Sequence, residues 1–420
     1  MTQPASQDGA DGATTGLTRR GLIASAAGGV ALGALGGVAA TLAATNAAAA
    51  SGSADGIDPT RAYPFYGGIH QVGIRTEPQR YCVYMTFDLT ADTAQDLQVL
   101  LARWSAAIAQ MMRGKSIGAI QPDRPGAVPA DTGEATDLGP NSLTVTLGLG
   151  PGVFDKRFGL QSKRPALLTA LPALPSDQLQ PALTGGDLSL QACADDPQVA
   201  YHAIRDLARM ARGTADTRWT VMGFGRASAG PNQSTPRNLM GFKDGTRNIQ
   251  SDDDYARFVW LGDDAGWMSG GSYQIARKIQ MNIEIWDADN VGDQQTVFGR
   301  SKLEGAPLTG KHEHDTPDFH KTSVISPTAH IALAAHENND GIKILRRSYN
   351  YTDGINQFGQ LDAGLMFIVY ANDPAHFVHL QRKLGSSDRL NEYISHIGSA
   401  IFAVPPAPRA GHYIGERLFA

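Results

Sequence analysis

Apolar residues recur at helical spacing over residues 92–112, where Leu97, Leu100, Leu101, Trp104, Ile108 and Met111 share one face. The run before it, residues 81–89, is rich in β-formers (Tyr81, Val83, Tyr84, Phe87) and predicts a strand. Residues 142–149 predict a second strand, 197–211 a second helix and 217–224 a third strand. This β-α-β…α-β order fits a split β-α-β, ferredoxin-like unit: an antiparallel sheet with helices on one face. The second half repeats the pattern more loosely. Strands are expected at 255–261, 273–281, 329–335, 364–370 and 400–404, with helices at 291–299 and 374–384. The fold class expected is therefore α+β, with two ferredoxin-like domains, 51–230 and 231–420. Residues 306–327 form a long polar loop, and loops of that length often carry function.

The first fifty residues read as an address. Arg19 and Arg20 precede a stretch, 21–54, without a charged residue, diluted by Gly28, Gly29, Gly33, Gly36 and Gly37 and ending in small residues. Paired arginines, a mildly apolar centre and an A-x-A exit describe a twin-arginine export signal over residues 1–50, with the export machinery as partner. The same run is long enough to serve as a membrane anchor. The localisation expected is extracellular, periplasmic or cell-envelope.

Composition narrows the chemistry. At 420 residues, net charge −5, 42% apolar and 18% charged, the chain carries no basic excess, so no nucleic-acid partner is expected. The two cysteines, Cys82 and Cys193, lack the spacing of a redox motif or of covalent haem attachment, and sequence does not say whether they meet. No phosphate-binding loop, dinucleotide fingerprint or hydrolase elbow occurs. His312, Glu313, His314, Asp315 and His320 lie in the polar loop, but their spacing matches no strong metal signature, so a solvated loop is the expectation.

The most specific segment is 238–248, Asn-Leu-Met-Gly-Phe-Lys-Asp-Gly-Thr-Arg-Asn. Gly241 and Gly245 allow a tight backbone path that can aim Asp244 into a pocket. Gly-Phe-Lys-Asp-Gly-Thr resembles the signature of the dye-decolourising peroxidases. Residues 67–74 (GGIHQVGI), 143–154 (LTVTLGLGPGVF) and 391–406 (NEYISHIGSAIFAVPP) are similar to that family's other segments, so the resemblance spans about 63–418. It implies one haem b per chain, held by the C-terminal domain.

Residue by residue, the resemblance implies His330 as proximal iron ligand, Asp244 as distal acid–base and Arg346 as distal positive charge. The cofactor-binding set expected is His330, Gly241, Phe242, Lys243, Gly245, Thr246, Arg247, Asn248 and Phe367. His336 is the alternative ligand, on the same face if 329–335 is a strand. It stands where the family usually has proline, and Ala332 where it usually has arginine. Arg346 is preferred to Arg347 because it directly follows the apolar pair Ile344–Leu345, as in the family pattern, and neighbours in a strand point to opposite faces, so only one of the two is expected in the pocket. Asp388 is the candidate partner of the ligand histidine. Tyr393 is the first candidate for passing electrons to bulky donors, ahead of Trp260, Trp267, Trp286 and Tyr349.

Cleaving a peroxide O–O bond requires moving a proton from one oxygen to the other, a task for Asp244, while Arg346 stabilises the developing anion. An aspartate base predicts activity at about pH 4, where an imidazole base of pKa about 6.5 is protonated. The function expected is a peroxidase acting on hydrogen peroxide and a reducing substrate such as a dye or phenol. Alternatives are a role in haem-iron acquisition, with a metal-homeostasis partner, and a non-catalytic haem carrier.

Overall fold

The computed structural model describes residues 57–225 and 235–420; the export signal read at 1–50 lies outside the described residues. The N-terminal half runs β1 (Tyr81–Leu89), α1 (Ala94–Met111), β2 (Thr144–Leu149), β3 (Leu188–Ala194), α2 (Pro197–Ala211) and β4 (Ala215–Phe224). The C-terminal half runs α3 (Asp252–Phe258), β5 (Ser272–Met281), α4 (Ile283–Ala288), α5 (Val291–Phe298), α6 (His330–Ala334), β6 (Leu345–Arg346), β7 (Tyr349–Ile355), β8 (Leu361–Ala371), α7 (Pro374–Ser387) and β9 (Ile394–Val404). Among the described residues no helix is long and apolar enough to cross a membrane.

Helix α1 forms where the periodicity predicts it. Thr93 caps its start by accepting from the Asp96 amide, and the six apolar positions of the predicted face are all buried. Each such side chain contributes roughly 1.5–3 kcal/mol on burial. Trp104 satisfies its indole N–H on the Leu207 carbonyl of α2 at 2.8 Å, which fixes the two helices against each other.

Both halves show the split β-α-β arrangement. The sheet order is β2-β3-β1-β4 in the first and β9-β5-β8-β7 in the second, all antiparallel. They do not form two separate sheets. β2 pairs with β9 through Leu149 and Ala403, β4 pairs with β7 through Gly223 and Phe224, and the ring closes like a barrel. β6 and β7 lie on the same edge of β8, as one strand interrupted at Arg347 and Ser348. The apolar cores likewise draw on both halves: Tyr84 and Trp219 pack in one cluster with Ile368, Tyr370 and Phe402.

Two elements correct the sequence reading. Residues 255–261 do not form a strand, because Ser251 accepts from the Asp254 amide and Asp252, Asp253 and Asp254 crowd the first turn, which starts α3 instead. Residues 329–335 do not form a strand either. They hold the short helix α6, so the strand parity that related His336 to His330 does not apply. Strands β3 and β7 went unread: β3 (LSLQACA) is buried throughout and has no β-branched residue, and β7 (YNYTDGI) carries turn-type residues.

In the N-terminal half the irregular segment between α1 and β2 meets α2 around a buried histidine. His202 lies between Asp131 and Asp206, 3.7 and 3.6 Å from their carboxylates, with Glu134 3.3 Å from its other nitrogen.

Candidate active site

Residues 235–248 make a compact turn aimed into a cavity of about 240 Å³ in the C-terminal half. The Asn238 side-chain oxygen accepts from the amides of Met240 and Phe242, and Gly241 turns the chain at φ 82°, where a Cβ would meet Lys302 at 2.8 Å. Phe242 does not face the cavity. It stacks on Phe298 at 4.1 Å and meets Trp286 edge-on, which anchors the turn from behind. The Asp244 amide donates to the Pro236 carbonyl at 2.8 Å, and Gly245 (φ 126°) and Arg247 (φ 63°) carry the chain away in conformations with positive φ. Asp244 is left lining the cavity.

Arg346 arrives on β6 and donates to the Asp244 carboxylate at 3.1 Å and to the Thr246 carbonyl at 3.3 Å. Asn248 holds it there, donating to the Arg346 carbonyl at 2.8 Å and accepting its amide at 3.0 Å. Arg347 points the other way and is buried, as the alternation of a strand requires.

His330 is the first residue of α6 and lines the same cavity, with about 31% of its side chain open to it. Its Nδ1 lies 2.6 Å from the buried carboxylate of Asp388, whose other oxygen accepts the Leu390 amide at 2.9 Å. With the carboxylate on Nδ1, Nε2 is the nitrogen that a neutral ring offers to the cavity. Burial works against charge on His330, but Asp388 outweighs it and holds the ring above its ordinary value, with Asp244 and Arg346 also felt across the cavity.

Apolar side chains of β5 (Ile279, Met281), β8 (Leu365, Phe367) and α7 (Leu380, Leu384) wall the space between these groups. Beside Arg346 and Lys243, three more cations join the lining. Arg247 pairs with Glu337 at 2.5 Å, Lys343 pairs with Asp254 at 2.8 Å, and Arg300 donates to the carbonyls of Gly305 and Glu313. Burial brings Arg300 down to about 10.

Of the residues expected at a cofactor, His330, Lys243, Gly245, Thr246, Arg247 and Phe367 line the cavity; Gly241, Phe242 and Asn248 shape the turn or hold Arg346 instead. His336 lies in the lining beside Glu337, and Ala332 is buried outside it. Tyr393 is 5% exposed with its hydroxyl bonded to Asp289, so it is not a surface residue. Trp286 and Tyr349 are also buried, whereas Trp260 and Trp267 are part-exposed.

Sequence reasoning did not find Arg300, and it took Glu313 for a solvated residue. Glu313 is buried and accepts from Lys243 at 2.5 Å and Thr246 at 2.8 Å, clamping the turn on both sides of Asp244. Burial pushes its carboxyl up, but these bonds outweigh it and hold it below its ordinary value. His312, His314 and His320 around it are exposed.

An imidazole oriented by a carboxylate, a carboxylate–guanidinium pair sharing its cavity and apolar walls between them fit a flat apolar metallocycle with anionic substituents. Models of two protein-family domains match the chain: "Dyp-type peroxidase, N-terminal" over residues 71–225 and "Dyp-type peroxidase, C-terminal" over 235–409. Deferrochelatases from Yersinia pestis and Escherichia coli K12 are each 37% identical over 370 residues, spanning 84% of this chain and 84% and 86% of theirs. Ferric DtpA from Streptomyces lividans is similar in structure, with TM-score 0.80 and 37% identity over 86% of this chain and 98% of that one. The DyP-type peroxidase from Cellulomonas bogoriensis is similar at TM-score 0.78 and 37% identity, over 86% and 99%.

Proposed function

The chain belongs to the Dyp-type peroxidase family and is a haem peroxidase, an oxidoreductase, and we propose that it holds one haem b on His330 and cleaves hydrogen peroxide with Asp244 and Arg346. The observation that carries this reading is the sharing of one cavity by the His330–Asp388 pair and the Asp244–Arg346 pair. Residues 51–230 and 231–420 are taken as its two domains.

Bound haem supplies an iron centre that accepts oxidising equivalents from peroxide and passes them to a reducing substrate. Asp388 fixes the His330 tautomer and raises the basicity of Nε2. Asp244 takes the proton from one peroxide oxygen and returns it to the other, with Arg346 stabilising the charge that develops. Arg247, Lys343 and Arg300 supply positive charge for the anionic substituents of the cofactor.

Two variants test the assignment. His330→Ala is expected to lose or strongly shift the Soret absorption. Asp244→Asn is expected to keep the Soret band while kcat/KM for peroxide falls about 10²–10⁴-fold. Wild-type activity in Asp244→Asn, or a rate that collapses from pH 7 to pH 5 as an imidazole base of pKa about 6.5 requires, would remove Asp244 from the role.

A second reading is favoured by the names of the relatives: release of iron from haem, in an exported protein working with a metal-homeostasis partner. Export through the twin-arginine pathway is common to both readings and rests on residues 1–50. Iron release predicts metal-free porphyrin fluorescence on incubation with haem and a reductant; a constant Soret band with no fluorescence excludes it.

A further inference from the structure

On the far side of Arg346's own strand, the fold brings the only two cysteines together. β1 and β3 pair in a register that sets Cys82 directly opposite Cys193. Both are free and buried, at 1% and 0% exposure. Directly opposed residues project to one face with Cα atoms about 4.5–5.5 Å apart, inside the roughly 4.4–6.8 Å that a disulfide spans.

A buried cation stands beside them. Arg347 is 2% exposed and donates to the Thr76 carbonyl and, at 2.5 Å, to the Gln79 side-chain oxygen, both neutral. Among the described residues no carboxylate pairs with it. A guanidinium cannot shed its proton, and a buried charge without a counterion is costly. Cys193, whose thiol feels the charge of Arg347, is the group that can supply the negative charge. Burial pushes both thiols up; at Cys193 the neighbouring Cys82 thiol and the charge of Arg347 outweigh it and lower it, while Cys82 stays well above its ordinary value.

We propose that Cys82 and Cys193 form a peroxide-oxidisable pair that closes into a cross-strand disulfide. The Cys193 thiolate attacks one peroxide oxygen, the O–O bond breaks, and hydroxide leaves and takes a proton to become water. The Cys82 thiol then attacks the resulting sulfenic sulfur, forming the S–S bond and releasing the second water. Peroxide is reduced by two electrons and the two sulfurs together lose two. The oxidant is the peroxide that the family's activity uses; the roles assigned to His330, Asp244 and Arg346 are not required. Ile74 of the irregular segment 71–80 packs in one apolar cluster with both cysteines, while Arg75 and Glu77 beside it are exposed, so local opening of this segment gives a molecule little larger than water its route. Closure leaves Arg347 without its anion, one peptide from Arg346.

The test is mass spectrometry of the haem-loaded wild-type protein. After excess hydrogen peroxide, acid quenching and alkylation with iodoacetamide in denaturant, the intact chain is expected to have lost about 2 Da and to carry no alkyl group. Dithiothreitol before alkylation restores two. In Cys82→Ser, which lacks the second thiol, dimedone is expected to label Cys193 after peroxide. Two alkyl groups on the peroxide-treated wild type overturn the proposal, as do sulfinic or sulfonic products with no Cys82–Cys193 linkage in the digest.

Discussion

At the scale of single residues, the site depends on side chains whose partners lie far away in sequence. Asp388, 58 residues from His330, was legible only as a candidate, because a ligand histidine calls for a carboxylate on its other nitrogen, and it lies on Nδ1 at 2.6 Å. Glu313 and Arg300 were not legible, because a charged residue outside a predicted element reads the same whether its segment packs inward or not. His396 shows the same limit. It is 4% exposed, with Nε2 3.2 Å from the Gln381 side-chain nitrogen, and burial together with the charge of Arg277 brings its pKa down to about 3. The unfolded chain takes up this proton near pH 6.5 and the folded chain resists until about pH 3. The stabilisation is therefore complete above pH 6.5 and is lost as pH falls toward 3. Urea unfolding from pH 7 to pH 4.5 is expected to lose stability more steeply in wild type than in His396→Gln, by up to about 1.4 kcal/mol per pH unit. Parallel pH profiles for the two would mean the imidazole is not held neutral.

At the scale of elements, strong periodicity was read correctly and local capping was missed. Helices α1 and α2 and strands β1, β5 and β8 appear within a few residues of their predicted limits, because each buries a continuous apolar face. The failures at 255–261 and 329–335 are short segments, where a cap or a tertiary contact outweighs β-propensity. The loop 306–327 illustrates what pattern cannot supply: no helix or strand forms there, yet it delivers Glu313 beneath the turn that carries Asp244, and Pro317 and Phe319 to the cavity wall. Glu313→Ala leaves Lys243 half-buried without its anion and is expected to cost about 3 kcal/mol. Because Lys243 and Thr246 flank Asp244, kcat/KM for peroxide is expected to drop while haem remains bound. A variant with unchanged denaturation midpoint and unchanged kinetics would show that the clamp does not position the turn.

At the scale of the whole molecule, the pattern of two split β-α-β units was legible and their fusion was not. Nothing in the alternation of β2, β4, β7 or β9 announces which edges meet, since edge pairing is decided by shape and shared core rather than by local sequence. With apolar clusters drawn from both halves, residues 57–420 are expected to unfold in a single calorimetric transition. Residues 71–225 expressed alone would expose the outer edges of β2 and β4 and are expected to aggregate. Two resolved transitions, or a monomeric folded fragment, would contradict a shared core.

The ring is also uneven. Strand β8 is bonded to β5 along nine residue pairs, whereas the strand ladders joining the halves hold one pair at Leu149–Ala403 and two at Gly223–Tyr351 and Phe224–Asn350, beside isolated bridges from β9 to Asp177 and Thr184. Two such narrow joins make natural fault lines: amides along them should trade protons for deuterons before those of β5 and β8, and the protein can yield there briefly without dissolving either half.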